Sequence, residues 1–373
     1  MSESKKKVGI LTFHRAHNYG AVLQCYALQE VIRTLGYDVH VIDYRPEYVE
    51  QSYRPISFKR IQGETRFQLV KLFLREIVLL PIRCIRSRKF ANFRNKITLS
   101  KTVRDSLIPA NYDIYVVGSD QIWNKSITDG IDKIFFCDFA FPKNNRKYLS
   151  YAASTEALDF QPYDKAYFEN ALKKLDAISV REKEVMQLLT SIIEKPIEVV
   201  LDPTLLVPTS FWEKEVATEH IAKGDYVVLY QARYSKQLTS IAEDIAASMN
   251  CKLIEMTAWT FPITRVGNKG MLASPEEFLS YIKNAKLVIN TSFHGTAFSL
   301  IFGVPFYYIA LGDGWDSRVT SILSQLNLMD RVKTLKEISN IKSNELSYDF
   351  LAVTMKLEYL RKDSLSFLIN NLG

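Results

Sequence analysis

The sequence predicts an α/β protein of two Rossmann-like domains that face a cleft, each built on a parallel sheet. Three observations carry this. Short apolar strands alternate with helical stretches along the chain. One strand–helix series closes near residues 203–209 and a second opens at Tyr226. The length, 373 residues, exceeds a single ordinary domain of about 150 residues.

Val8 to Phe13 reads as the first strand, followed by a polar loop from His14 to Gly20. A helix over 21–35 carries Leu23, Ala27, Leu28, Val31 and Ile32 as its apolar stripe, with Gly36 as the stop. Asp38 to Asp43 is the next strand, so the chain opens as a βαβ unit, which predicts parallel pairing. Residues 66–96 read as helix interrupted at Pro81. Strands follow at 113–117, 148–152 and 177–180. In the second series, strands fall at 227–231, 252–256, 287–290 and 306–310. Its helices fall at 236–249, 275–284, 296–302 and 317–326.

Hydrophobic residues at 47% and charged residues at 24% exclude a disordered, collagenous or disulfide-scaffold chain. No stretch approaches the ~20 uncharged apolar residues of a membrane span. The first residues, Met-Ser-Glu-Ser-Lys-Lys-Lys, lead directly into a strand without an apolar leader core, so the expected location is cytoplasmic. Cys25, Cys84, Cys137 and Cys251 lie far apart and read as free thiols.

The net charge of +7 is unevenly spread. Residues 54–104 hold fourteen Lys/Arg against Glu64 and Glu76, a surplus of +12 that leaves −5 for the rest. Such a block suits an anionic partner. Without zinc-finger or RNP signatures, nucleic acid is not expected. Apolar residues between the positive charges suit a helix lying peripherally on the inner membrane face, where each basic residue is worth about 1 kcal/mol. A solvated helix packed on the first domain remains the alternative.

In open α/β sheets ligands bind beyond the carboxyl ends of the strands. That rule selects four loops. His14, Asn18, Tyr19 and Gly20 form the first; Asn18 either meets a ligand or caps the helix. His14 and His17 lack a third ligand, so no metal is expected. Asp120, Trp123 and Asn124 follow Gly118-Ser119. They can hold sugar hydroxyls against a flat ring, or Asp120 caps a helix and Trp123 is core. Arg181 stands just past a strand and meets either an anion or Glu182. In the fourth loop, Ser292, His294, Gly295 and Thr296 lead into a helix. His294 there is a candidate general acid beside amides suited to phosphate, and Arg318 follows the next strand.

Taken in order, Asn18-Tyr19-Gly20-Ala21 with Leu23-Gln24, Gly118 to Asn124, Ser179-Val180-Arg181-Glu182, Asp202-Pro203-Thr204 and Phe293-His294-Gly295 resemble the bacterial polysaccharide pyruvyl transferase family. The likeness runs from residue 8 to about 328. It implies a GT-B-like architecture: 1–205 as acceptor domain, 206–350 as donor domain, and a C-terminal helix over 351–373 packing back on the first. It also implies transfer of pyruvyl from phosphoenolpyruvate to a sugar diol as a cyclic ketal in surface or capsular polysaccharide synthesis, without a cofactor. The acceptor is a saccharide, which could be lipid-linked. Under that resemblance His294 is the acid and Asp120 the base or hydroxyl orienter. Arg181, Ser292, Gly295, Thr296 and Arg318 would take the donor, and His14, Asn18, Tyr19, Gly20, Trp123 and Asn124 the acceptor. One departure stands out: the family commonly has Arg two residues before the histidine, where this chain has Ser292. A nucleotide-sugar glycosyltransferase and a non-catalytic carbohydrate-binding protein are the alternatives.

Overall fold

A computed structural model describes residues 5–57, 65–104, 107–155, 161–217, 224–257, 269–312, 316–341 and 346–373. The strands are β1 (Lys7–Leu11), β2 (Asp38–Val41), β3 (Ile114–Asp120), β4 (Lys147–Ala153), β5 (Ala177–Val180), β6 (Ile197–Val199), β7 (Tyr226–Gln231), β8 (Lys252–Thr257), β9 (Leu287–Asn290), β10 (Phe306–Ile309) and β11 (Val332–Lys333). They form a six-stranded sheet, β2-β1-β3-β4-β5-β6, and a five-stranded sheet, β11-β10-β9-β7-β8. Every pairing is parallel. The central strands are buried along almost their whole length, which is why they read as continuous apolar runs rather than alternating ones.

The helices are α1 (Tyr19–Thr34), α2 (Glu47–Tyr53), α3 (Arg66–Arg94), α4 (Lys125–Thr128), α5 (Pro162–Lys173), α6 (Lys183–Thr190), α7 (Pro203–Leu206), α8 (Thr209–Glu215), α9 (Lys236–Ser248), α10 (Pro275–Lys283), α11 (Phe293–Phe302), α12 (Ser317–Gln325), α13 (Leu335–Ile338) and α14 (Phe350–Leu372). Local chemistry sets many of their starts. Asn18 caps α1, Thr65 and Gln68 form a capping box on α3, and Ser274 and Glu277 form one on α10.

Two expectations are corrected, and two strands are added. Pro81 does not interrupt α3, which is continuous from Arg66 to Arg94. The carbonyl that loses its helical partner belongs to Ile77, on the outer, exposed face of the helix. Helix α11 begins at Phe293, three residues early, because Asn290 Oδ1 accepts from the Ser292 amide at 3.0 Å and the Thr296 hydroxyl at 3.2 Å. These bonds wind the segment before Thr296 into a first helical turn. The short edge strands β6 and β11 carry no periodicity that a sequence reading detects.

The two sheets are joined by packing as well as by chain. One hydrophobic cluster runs from Val8, Ile10 and Leu28 through Leu205 and Trp212 to Val228, Phe278 and Phe298. At the junction the Tyr19 ring stacks on Phe278 with centroids 4.5 Å apart, and its hydroxyl donates to the Ala273 carbonyl at 3.0 Å. Buried Arg86 of α3 donates to the carbonyls of His17 at 3.1 Å and Thr257 at 3.2 Å, tying α3 to both domains. Helix α14 returns to the first domain. Ser364 Oγ accepts from the Leu201 amide at 2.9 Å, Arg361 donates to the Leu205 carbonyl at 2.8 Å, and Lys147 reaches the Gly373 carbonyl.

Candidate active site

Between the domains lies a cleft of about 510 Å³. Its first-domain wall comprises Asn18 and Ala21 at the start of α1, Tyr48, Val49, Ser52 and Tyr53 of α2, and Asp120 with Gln121 after β3. Its second-domain wall comprises Ala232 and Arg233 after β7, Thr291, Ser292, Phe293 and His294 at the start of α11, and Arg318 of α12. Most of these groups stand at a strand's carboxyl end or a helix's first turn, while Ser52 and Tyr53 close the cleft from the end of α2.

His294 is buried and packed against the first turn of α1. A Cβ on Gly20 would lie 1.9 Å from His294 Nδ1, so that imidazole position requires glycine at 20. On the other side, His294 Nε2 is 3.7 Å from Asp202 Oδ2. That is too long for a direct hydrogen bond and close enough for strong electrostatic attraction in a buried site. Nε2 has no hydrogen-bond partner among the described residues. Asp202 is itself fixed, accepting from the Thr204 amide at 2.9 Å, the Thr204 hydroxyl at 2.7 Å and Ser119 Oγ at 3.2 Å. Burial alone would raise the Asp202 carboxyl. His294, Arg181 and the Thr204 amide outweigh it and hold the group well below the usual carboxylate range.

Arg181 lies beneath the cleft floor, its side chain 2% exposed. It donates to Asp202 Oδ2 at 2.7 Å and to Glu182 Oε1 at 3.0 Å, and its guanidinium covers the Phe293 ring at 4.6 Å. Of its two anticipated environments, the neighbouring Glu182 is the one it meets, with Asp202 added. Glu182 also accepts from Ser154 Oγ at 2.8 Å, and burial raises its pKa despite Arg181 and Arg318. The remaining Arg181 nitrogen points toward Asp120, with Nη2 4.0 Å from Oδ1.

Asp120 stays in the cleft. It does not cap the following helix; Asn124 does, accepting from the Ser126 amide at 2.9 Å. Asp120 has φ of 73°, a left-handed conformation that Asp tolerates better than most residues, and its carboxylate accepts from the Gln121 amide at 2.9 Å. Opposite it, Arg233 donates to Asp316 Oδ1 at 2.9 Å and to the Tyr308 hydroxyl at 3.0 Å. Arg318 is half-buried beside Arg181, and burial followed by that neighbour's charge lowers its pKa.

Several anticipated acceptor contacts belong elsewhere. Trp123 is a core residue, 1% exposed, stacked on Phe136 and donating from Nε1 to the Phe135 carbonyl at 2.9 Å. His14 is fully buried between Asp43 Oδ1 at 2.9 Å and the Thr12 carbonyl at 3.1 Å. Tyr19 holds the domain junction, and Gly20 makes room for His294. On the donor side, Gly295 packs against Asn290, where a Cβ would come within 2.9 Å, and Thr296 is buried on the same side chain. Residues 313–315 of the loop before Arg318 lie outside the described residues.

Asp202 and Arg233 had no role in the sequence reading. Asp202-Pro203-Thr204 stood out as a motif, but its pairing with His294 spans the two domains and leaves no local pattern. Arg233 could have been found by its place just beyond the carboxyl end of β7.

Comparison with known proteins accords with this architecture. UDP-GlcNAc 2-epimerase from Neisseria meningitidis bound to UDP-GlcNAc superposes with a TM-score of 0.52 at 12% identity, covering 99% of this chain and 100% of that one. The S. aureus MnaA–UDP co-structure gives 0.51 at 12% identity, over 98% and 97% of the two chains. A mutant O-GlcNAc transferase from Thermobaculum terrenum gives 0.44 at 14% identity; 99% of this chain is covered, but it spans only 65% of that one. For the first two, the likeness at these identities concerns the fold alone, a GT-B-like pair of Rossmann domains. No curated protein matches the chain in sequence. Residues 18–313, which contain the α1 start, the Asp120 turn, Arg181, Asp202 and His294, match the family described as polysaccharide pyruvyl transferase, and the chain belongs to that family of transferases.

Proposed function

We propose that the protein transfers pyruvyl from phosphoenolpyruvate to two hydroxyls of a saccharide, forming a cyclic ketal and releasing phosphate. The observation that carries this reading is the placing of His294. Its imidazole is at the cleft wall, supported by an ionised Asp202 and beside the uncapped amides of α11, with Arg318 and Arg233 on the same wall. Phosphoenolpyruvate carries about three negative charges near neutrality and needs such cations and amides.

In the first step His294 delivers a proton to the methylene carbon of the enol, and C2 becomes electrophilic. A sugar hydroxyl adds at C2 and its proton passes to a base, for which Asp120 faces the cleft. The C2–O bond to phosphate breaks, the leaving phosphate carrying off the proton taken by Asp120, and the neighbouring hydroxyl closes the ketal by returning its own proton to the His294 imidazole. Asp202 acts through His294 by stabilising the imidazolium that donates the proton. Arg318 and the α11 amides bind the phosphate. Arg181, held by Asp202 and Glu182, sets the potential of the floor and turns its remaining nitrogen toward Asp120. Arg233 supplies a second guanidinium on the cleft wall where the family's arginine is replaced by Ser292. The chemistry needs no cofactor, and the proposed location is cytoplasmic.

Mass spectrometry of saccharide acceptors incubated with phosphoenolpyruvate tests the proposal. The expected gain is about 70 Da, donor minus phosphoric acid, in the addition–elimination chemistry above. Stabilisation against heat by a nucleotide sugar and not by phosphoenolpyruvate would instead favour glycosyl transfer.

A further inference from the structure

We propose that the first half of α3 is a membrane-contact surface, laid against an anionic lipid bilayer close to the rim of the cleft. The helix has two different faces. Glu76, Leu79, Ile82, Arg86, Phe90 and Phe93 recur every three or four residues and are buried against the protein. On the opposite side Phe67, Val70, Leu74 and Val78 recur with the same period and are 79%, 59%, 55% and 55% exposed. Phe73 and Ile77, at 50% and 49%, widen that outer stripe. A row of large apolar side chains facing water along several helical turns is far more than the scattered exposure of an ordinary surface.

Charge selects the occupant. The whole of α3 holds eight Lys/Arg and one acidic residue. That residue, Glu76, faces inward and is paired with Arg83 at 2.6 Å. Lys71 and Arg75 border the apolar stripe, and Arg66 and Arg88 lie along it. A second copy of the chain docking symmetrically would set this positive surface against itself. A bilayer with anionic headgroups meets both requirements together, since the acyl boundary takes the apolar side chains and the headgroups take the cations. Among the described residues no helix is long and apolar enough to cross a membrane, so the contact is one of lying on the surface.

The second half of α3 fixes this surface relative to the cleft. Arg83 donates to the Pro55 carbonyl at 3.2 Å, just beyond α2, and Phe90 packs on His17, whose ring also meets Tyr53 of the cleft wall. A saccharide carried on a lipid in that bilayer would therefore reach the cleft past α2.

Flotation with vesicles tests the surface without donor or acceptor, so its outcome is independent of pyruvyl transfer. The full chain should float with phosphatidylglycerol–phosphatidylcholine vesicles at low salt. It should do so at least tenfold less with phosphatidylcholine alone, and binding should fall as salt passes ~0.15 M, where the Debye length is ~8 Å. The triple variant Phe67→Ser, Leu74→Ser, Val78→Ser and the double variant Arg66→Glu, Lys71→Glu, whose side chains are both exposed, should each lose most binding while keeping the wild-type melting temperature. Wild-type protein that stays unbound at low salt overturns the proposal, as does equal binding by the folded variants. A dimer in light scattering that the triple variant dissociates, with no vesicle binding, would assign the face to a second copy.

Discussion

Asp202 and His294 face each other across the domain junction with 3.7 Å between carboxylate and imidazole. Asp202 comes from the loop after β6 and His294 from the first turn of α11, so the pair exists only when both domains are folded and docked. The carboxylate cannot drift, because Thr204, Ser119 and Arg181 hold it. Removing the imidazole with His294→Ala should lower turnover by ~10²–10⁴-fold, the worth of a positioned proton donor. The melting temperature should change little. Near-normal turnover in a folded variant would remove His294 from the chemistry.

Gly20 offers a test that changes the identity of no catalytic side chain. Its φ is helical, so alanine there would favour α1 locally by roughly 0.5–1 kcal/mol. The added Cβ, however, would sit 1.9 Å from His294 Nδ1. Gly20→Ala should therefore retain α1 and displace the imidazole, with a turnover loss approaching that of His294→Ala. Wild-type kinetics in the alanine variant would show that the imidazole position is not critical.

Arg181 is predicted to act first on stability. Arg181→Met leaves Asp202 and Glu182 buried with a lost partner, a change that costs about 3–5 kcal/mol. Urea unfolding followed by circular dichroism reads this directly. If Arg181→Met is as stable as wild type, the buried triad does not hold the floor of the cleft.

Donor binding should rest on Arg318 and Arg233. Calorimetric titration with phosphoenolpyruvate should show a loss of roughly 2–5 kcal/mol for Arg318→Met, the usual cost of removing one partner of a desolvated charge pair. Arg233→Met should weaken binding in the same direction. Ser292→Arg places the family's residue at a position that already lines the cleft, so the chain should fold and bind donor at least as well. Unchanged affinity in both methionine variants would move the donor elsewhere.

The pH dependence of stability should carry a signature of His17. Burial, then the charges of Arg94, Arg86 and Arg15, lowers its pKa from 6.5 to about 3. Between those values the unfolded chain binds a proton that the folded chain does not, so this contribution is complete above pH 6.5 and is lost as pH falls toward 3. At pH 5 the loss is about 2 kcal/mol. In His17→Phe the fall in stability between pH 7 and 5 should shrink by about that amount; an unchanged slope would place the acid sensitivity in other groups.

Much of this architecture was legible in the sequence, for physical reasons. Strands buried on both faces, such as β3 and β9, are continuous apolar runs, and caps such as Asn18 mark their helices. The rule that ligands sit beyond strand ends selected Asp120, His294 and Arg318, all of which line the cleft. Trp123 and His14 escaped it because the same polar turns that carry a site also bury side chains beneath it. Whether an indole faces sugar or Phe136 depends on contacts far along the chain. Pro81 was misread because a proline's cost depends on which face of the helix holds the carbonyl it abandons, which sequence does not record.

The continuous hydrophobic cluster that passes from Val8 through Leu205 to Phe298 bears on cooperativity. Two Rossmann units joined by a linker and a polar interface would melt independently. Here separating the sheets exposes the Tyr19–Phe278 stack and strips α14 from its seat, so neither half keeps an intact interior alone. Heat should release both halves in one calorimetric transition, with equal calorimetric and van't Hoff enthalpies. Substrates must then come and go by movements of the rim, because a wide hinge opening would carry much of the energetic cost of unfolding.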